Sequence, residues 1–401
     1  MKAWKVGGVV RDALLGRPVN DIRDVDWVVT GATPEAMRAA GYLPVGRDFP
    51  VFLHPVTKQE YALARTERKT APGYHGFVFH TAADVTLEDD LARRDLTINA
   101  MAQDESGTVI DPYGGQHDLQ ARVLRHVSPA FAEDPVRILR VARFAARLVD
   151  FQVAPETQAL MCGMVNAGEV DALVAERVWQ ELSRGLMEAQ PSRMFDVLHN
   201  CGALARLLPE IDAEWPVAAE PASRLRSAID IAARRCMPLP VRFAVLTHRL
   251  GEAPRPAPAG ATSTALASLC GRWRVPTDCR ELAEALVRER DAVASSVEKD
   301  ASGLVSLLDR SDAWRRPERF EQLLGACECV AQAATGVNSR LHGAQTDRLL
   351  QALALAAAVD VGTVAACATE QGLRGPDIGR AVHDRRVQAV AEGLSAAAAP
   401  D

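Results

Sequence analysis

The rhythm of apolar positions changes part-way along the chain. Over residues 1–130, short β-rich runs (Trp4–Val6, Trp27–Thr30, Val51–His54, Tyr61–Ala64 and Val109–Asp111) alternate with helical stretches and Gly/Pro turns. From about Glu133 onward, apolar positions recur at helical spacing, and Ala, Leu and Arg dominate. The pattern predicts an α+β chain: a mixed sheet with helices first, then an all-α region. The change near Ser128–Pro129 marks an expected junction. Ala253–Thr264, rich in Pro and Ala, reads as a linker, and the tail Ser395–Asp401 is expected to fray.

At 401 residues the chain exceeds one ordinary core, and its 48% hydrophobic and 24% charged residues suit a soluble globular protein. No apolar run reaches the ~18 residues of a membrane span. Nothing after Met1 resembles a signal segment, so the cytoplasm is the expected location. The eight cysteines all lie at or beyond Cys162 and are scattered. Cys327 and Cys329 stand two apart in a helical stretch and diverge, a poor metal clamp, so free thiols are expected. A net charge of −6 does not mark a nucleic-acid binder. Net charge conceals local concentration, however, and the basic residues gather in the motifs below.

The first thirty residues read strand, Gly7-Gly8 turn, helix from Val9 to Leu15, loop, then Asp24-Val25-Asp26-Trp27-Val28-Val29. Along a strand Asp24 and Asp26 point the same way, about 6.5–7 Å apart. Two such carboxylates repel unless a cation sits between them, and hard oxygens with nucleotide phosphates suit Mg²⁺. A pair of such ions can activate a 3′-hydroxyl and stabilise leaving pyrophosphate. Gly7 and Gly8 let a backbone turn approach phosphate, and Arg11 can add a fork to its oxygens.

A second block runs from Leu87 to Met101 and sets Arg93-Arg94-Asp95 directly before an apolar stretch carrying Asn99. The two arginines could neutralise a triphosphate, while Asp95 and Asn99 could hold sugar or backbone. In the third block Asp134-Pro135 is a strong helix start, acid at the N-cap and proline at N1. Arg137, Arg140, Arg143 and Arg147 then line one helical face. Asp134 and Arg137 share a turn, so their polar ends can converge on one ligand. An Asp accepts from an exocyclic amine: cytosine and adenine both offer one at the position where uracil and guanine carry a carbonyl. Such contacts discriminate by about 1–3 kcal/mol each.

Together Val6-Gly-Gly-Val-Val-Arg-Asp12, Asp24-Val-Asp-Trp-Val28, Arg65-Thr-Glu-Arg-Lys69, Arg93-Arg-Asp-Leu-Thr-Ile-Asn99 and Glu133-Asp-Pro-Val-Arg137 resemble the class II CCA-adding tRNA nucleotidyltransferases. Within them the multifunctional branch is most similar. The resemblance is dense to about residue 212, includes Gly46–His54 and His126–Phe131, and thins beyond. It implies that Asp24 and Asp26 are the Mg²⁺ carboxylates and that Gly8, Arg11, Arg94, Arg140 and Arg143 contact ATP or CTP. It further implies that Asp134 and Arg137 pair with the incoming base and that tRNA is the acceptor. The family plan divides the chain into a head (1–130), neck (131–212), body (213–300) and tail (301–401). Arg65–Phe79 matches a flexible loop, and Glu60 is a candidate third carboxylate.

Two departures stand out. Ile22-Arg23 and a neighbour look like a short insertion before the D-x-D. The branch also carries a metal-binding His-Asp phosphohydrolase domain, yet Arg249 follows His248 here and Ala222–Arg235 has no histidine. A guanidinium repels a cation, so phosphohydrolase activity is expected to be absent. His117-Asp118 and His383-Asp384 read as surface pairs. Bacterial poly(A) polymerase, a CC- or A-adding specialist and a non-catalytic RNA-binding relic are the alternatives. Monomer and dimer both stay open.

Overall fold

The computed structural model describes residues 1–17, 25–45, 51–69, 77–80, 83–215, 220–250, 264–335 and 343–398. It forms two compact units, Met1–Asp212 and Ala213–Asp401.

The first unit is built on β1 (Lys2–Val6), α1 (Gly8–Leu14), β2 (Trp27–Thr30), α2 (Pro34–Ala39), β3 (Leu43–Val45), β4 (Val51–Leu53) and β5 (Glu60–Leu63). A hairpin of β6 (Thr66–Lys69) and β7 (Phe77–His80) follows, then α3 (Leu87–Ala92), β8 (Ala102–Gln103) and β9 (Val109–Ile110). The seven-stranded sheet has the order β3-β4-β5-β2-β1-β8-β9, with β2 and β5 parallel and the other pairs antiparallel. Strand alternation sorts its core onto two faces. Val6, Val28 and Ala64 pack with Leu87 and Leu91 of α3 on one. Val29, Phe52, Tyr61 and Leu63 pack with Met37 of α2 on the other. A capping box between Thr86 and Asp89 starts α3.

Next come α4 (Gly115–Ala121), β10 (Val123–Leu124), α5 (Val136–Arg147), β11 (Gln152–Val153) and α6 (Pro155–Asn166). Then follow α7 (Ala175–Leu186), α8 (Ser192–Asn200), α9 (Ala203–Leu207) and α10 (Pro209–Asp212). The strand β11, paired in parallel with β10, is an exception to the expected all-helical pattern beyond Glu133. Asp134 is extended and Pro135 already helical, and the Asp134 carboxylate accepts from Val136 N at 3.1 Å, as the Asp-Pro start requires.

The described part of the second unit is helical: α11 (Glu220–Arg234), α12 (Leu239–Thr247), α13 (Thr264–Arg272), α14 (Thr277–Ala294) and α15 (Ala301–Arg310), then α16 (Pro317–Thr335), α17 (Gly343–Ala357), α18 (Val361–Glu370) and α19 (Pro376–Ala398). Val241 to Thr247 are all buried, so α12 is central, packed by α11, α14 and α16. Contact with α11, α12 and α14 also explains why Cys327 and Cys329 of α16 are both buried although they diverge. Of the tail expected to fray, Ser395–Ala398 continue α19, their alanines being strong helix formers, and residues 399–401 lie outside the described residues. Of the expected linker only Thr264 is described, as the first residue of α13.

Candidate active site

The first unit gathers the motifs around one polar cavity and an adjoining carboxylate edge. Gly7 joins β1 to α1 at φ 73°, where a side chain is strained, and a Cβ there would stand 3.0 Å from Arg94 Nη1. Val6 N donates to Asp26 O at 3.0 Å, which sets this turn beside Asp26. The parallel register pairs Trp27 with Tyr61, so Glu60 lies level with Asp26 on the same face, one strand away (about 4.8 Å). Both are exposed. Neighbouring exposed carboxylates at the ends of two adjacent central strands fit a hard cation such as Mg²⁺, which keeps waters and needs few protein ligands. Asp24 lies outside the described residues, as do the inserted residues near Ile22 and the middle of the expected flexible loop.

Arg11, expected to reach phosphate, is turned into the protein. Its guanidinium is only 2% exposed and is committed to protein, with Nε and Nη2 donating to Asp12 at 3.0 Å and Nη1 to Asn99 Oδ1 at 2.5 Å. The helix α1 has its buried side here, so Arg11 packs behind the glycine turn; a Gly8 Cβ would meet its Nη2 at 3.4 Å.

The second block is held by Asp90, which is fully buried. Its carboxylate takes Arg93 Nη2 at 2.7 Å, Arg94 Nη2 at 3.3 Å and the Arg65 backbone N–H at 3.3 Å. Burial alone would raise the Asp90 pKa, but the charges of Arg93 and Arg94 outweigh it and hold the group below its ordinary value. Asp95 and Asn99, expected to hold sugar or backbone, are bonded to protein side chains, and Asp95 also lines the cavity described below. Asp95 accepts from Arg140 at 2.7 Å, Asn99 Nδ2 at 3.0 Å and Leu96 N at 2.8 Å. Burial opposes ionisation there too, yet the Arg140 charge and these hydrogen bonds bring Asp95 to about 2.

A cavity of about 420 Å³ opens between these arginines and the helices α5 and α7. Seven arginines (65, 93, 94, 137, 140, 177 and 184) line it against three carboxylates, Asp95, Asp134 and Glu181. Its size falls within the usual range of small-molecule sites, and its lining is polar and cationic. Asp134 is gripped bidentately by Arg177, at 3.1 and 2.7 Å. A carboxylate has about four acceptor directions, and Arg177 with Val136 N uses three. Arg137 Nη1 donates to Ala130 O at 2.7 Å, bracing its guanidinium at the cavity wall.

The arginine stripe of α5 is therefore no solvated face. Arg140 pairs with Asp95 and Arg147 with Asp12, while Arg143, expected at nucleotide, is buried on Glu181 at 2.6 Å and does not line the cavity. The sequence reading missed Asp90, Arg177 and Glu181. Asp90 carried a usable signal, standing three and four residues before Arg93 and Arg94, the spacing of helical ion pairs. Arg177 lies 43 positions from Asp134, and nothing local announces that pairing.

In the second unit, His248 is buried with Nδ1 on Val245 O at 2.7 Å, and Arg249 pairs with Glu214 at 3.0 Å. Among the described residues no group of three or more His, Cys, Asp or Glu side chains gathers as a metal site. Asp118 is buried on Thr97 and Arg125, so only His117 of that dipeptide is a surface residue. His383 pairs with Asp309 at 2.7 Å.

A family model of the poly(A) polymerase head domain matches residues 3–125, and one described as a probable RNA- and SrmB-binding site of polymerase A matches residues 150–214. Along nearly its whole length the chain is 60% identical to the multifunctional CCA protein of Leptothrix cholodnii, over 98% of this chain and 96% of that one. It belongs to the multifunctional CCA protein family. The family member from Acidovorax sp. (strain JS42) is 54% identical over all of this chain and 98% of its own. The fold is similar to that of the Bacillus stearothermophilus CCA-adding enzyme crystallised with CTP, at a TM-score of 0.68 and 27% identity over 98% of this chain and 89% of that one. A CCA-adding enzyme structure with ATP shares the fold at a TM-score of 0.65 and 20% identity.

Proposed function

We propose that this chain is a tRNA nucleotidyltransferase that builds and repairs the 3′-terminal CCA of tRNA from CTP and ATP, without a nucleic-acid template, and releases pyrophosphate. The observation that carries the reading is the cavity itself, with arginines of α3 at one end and Asp134, Arg137 and Arg177 at the other. Its arginine-lined end suits a triphosphate. The opposite end offers one remaining acceptor direction on Asp134 and the donors of Arg137, a match for the amine and ring acceptors of cytosine and adenine. Arg94 and Arg140 would contact the nucleotide directly, Gly8 would let its phosphates approach the backbone, and Arg11 and Arg143 would act from behind.

Asp24 and Asp26, with Glu60 beside Asp26, would hold Mg²⁺, which when bound would lower the pKa of the attacking hydroxyl and stabilise the leaving pyrophosphate. Residues 1–130 would form the catalytic head and 131–212 the base-reading neck. The body (213–300) and tail (301–401) would support the acceptor stem of tRNA. The second unit would have no phosphohydrolase activity, since Arg249 is spent on Glu214 where a metal ligand would be needed. No single described helix is long and apolar enough to cross a membrane, and we assign the protein to the cytoplasm.

The test is nucleotide incorporation into tRNA transcripts ending before C, after C and after CC. Each is given Mg²⁺ with CTP, ATP, both, UTP or GTP, and products are resolved to one nucleotide. Growth to CCA followed by a stop supports the reading. A long A ladder would mean a poly(A) polymerase, partial growth a C- or A-adding specialist, and no growth an RNA-binding relic.

A further inference from the structure

Two arginines on one face of α5 grip opposite ends of a single chain of polar side chains. Arg147 Nη2 donates to Asp12 Oδ2 at 2.9 Å. The same Asp12 carboxylate takes Arg11, whose Nη1 reaches Asn99 Oδ1 at 2.5 Å. Asn99 Nδ2 donates to Asp95 Oδ1 at 3.0 Å, and Arg140 Nε closes the circuit on Asp95 Oδ2 at 2.7 Å. Arg140 and Arg147 are seven residues apart, two helical turns or about 10.5 Å along the axis. The ring therefore ties α5 to α1 and to the 3₁₀ turn Thr97–Asn99. Its interior members are almost wholly enclosed: Arg11 is 2% and Asn99 6% exposed.

Arg140 lines the cavity, but Asp12 and Arg147 do not. The helix α1 follows the Gly7-Gly8 turn beside Asp26, and α5 starts just after Asp134 and carries Arg137 in its first turn, at the base end of the cavity. We infer that the Asp12–Arg147 pair is a positioning contact for nucleotide transfer: it locks the carboxylate edge of the site to the base-reading helix so that the two ends keep one spacing. Burial keeps the lock rigid, because Arg11 and Asp12 move together on α1, and any shift of α1 against α5 would part Asp12 from Arg147 and pull the buried Arg11 off Asn99. Losing the lock would leave nucleotide binding at the arginines intact while the α-phosphate and the acceptor hydroxyl lose register. Displacements of this kind, about 1 Å, can cost on the order of 100-fold in rate.

This inference rests on the nucleotidyltransferase reading. Its test uses Arg147→Met, Asp12→Asn, the double variant and Arg147→Lys in the full-length protein. Single-turnover incorporation of CTP and ATP into tRNA transcripts is compared with equilibrium binding of CTP without tRNA. The expected result for Arg147→Met is a rate lower by about 10- to 100-fold for both nucleotides, with the CTP dissociation constant within about three-fold of the parent. Arg147→Lys, which keeps the charge, recovers most of the rate. The double variant is no slower than the slower single one, because the two residues act as one contact. Unchanged rates, a loss explained by weaker CTP binding, or multiplicative losses in the double variant would overturn the inference. If Arg147→Met fails to fold, Arg147→Gln is read by the same criteria. An unsubstituted protein that incorporates nothing would instead refute the underlying function.

Discussion

Replacing Asp90 by asparagine removes one charge from beneath two arginines. The carboxylate is fully buried, and the Arg93 and Arg94 side chains it holds are only 17% and 18% exposed. Removing one partner of such a buried pair costs about 3–5 kcal/mol, and asparagine retains one acceptor, which favours the lower end, about 3 kcal/mol. In a unit the size of Met1–Asp212, about 2–4 °C of melting temperature accompanies each kcal/mol, so a fall of about 6–12 °C is expected at neutral pH. The pH dependence follows from the sign of the shift. The folded pKa of Asp90 lies below its ordinary value, so its stabilisation is fully present above about pH 4 and is lost as pH falls through the folded pKa. Parent and Asp90→Asn should therefore differ most at neutral pH and converge in acid. Because Asp90 holds the arginines at the proposed phosphate end of the cavity, KM should rise for CTP and ATP alike. Calorimetry from pH 7 down to pH 3, with KM for both nucleotides, checks this. A melting temperature within 2 °C of the parent, or a KM change for one nucleotide only, would refute the reasoning.

Gly7→Ala should lose stability by about 1–3 kcal/mol, since φ 73° with ψ −130° lies outside the regions open to side chains, and raise KM for both nucleotides by displacing Arg94; thermal melting and steady-state kinetics measure this. Asp95, held at about 2, should keep its ion pair with Arg140 far into acid, its contribution fading only between about pH 4 and 2, as an acid titration of circular dichroism would register. The variants Asp24→Ala and Asp26→Ala should lose turnover yet retain ATP and CTP binding, measured by equilibrium titration.

What was legible in the sequence follows from what is local. The strands Trp27–Thr30 and Val109–Ile110 sit in runs rich in β-branched residues, and Asp134-Pro135 announces its own helix start. The two-residue strands β8, β10 and β11 carry no pattern of their own and form because a partner lies alongside. The same division holds in the site. Spacing put Asp134 and Arg137 on one turn and the arginines on one face of α5. It could not show that Asp95, Glu181 and Asp12 reach that face from distant segments, leaving Arg143 buried and Arg11 turned inward. Long-range partners decide which of several equivalent arginines face a ligand.

The central claim is that protein side chains, not a nucleic-acid template, choose the base. Its most direct measurement is kcat/KM for CTP, ATP, UTP and GTP on a tRNA transcript lacking CCA, in the parent and in Asp134→Ala. The preference for CTP over UTP should fall by about 5- to 150-fold in the variant, the equivalent of one contact worth about 1–3 kcal/mol. Undiminished discrimination by Asp134→Ala would contradict it.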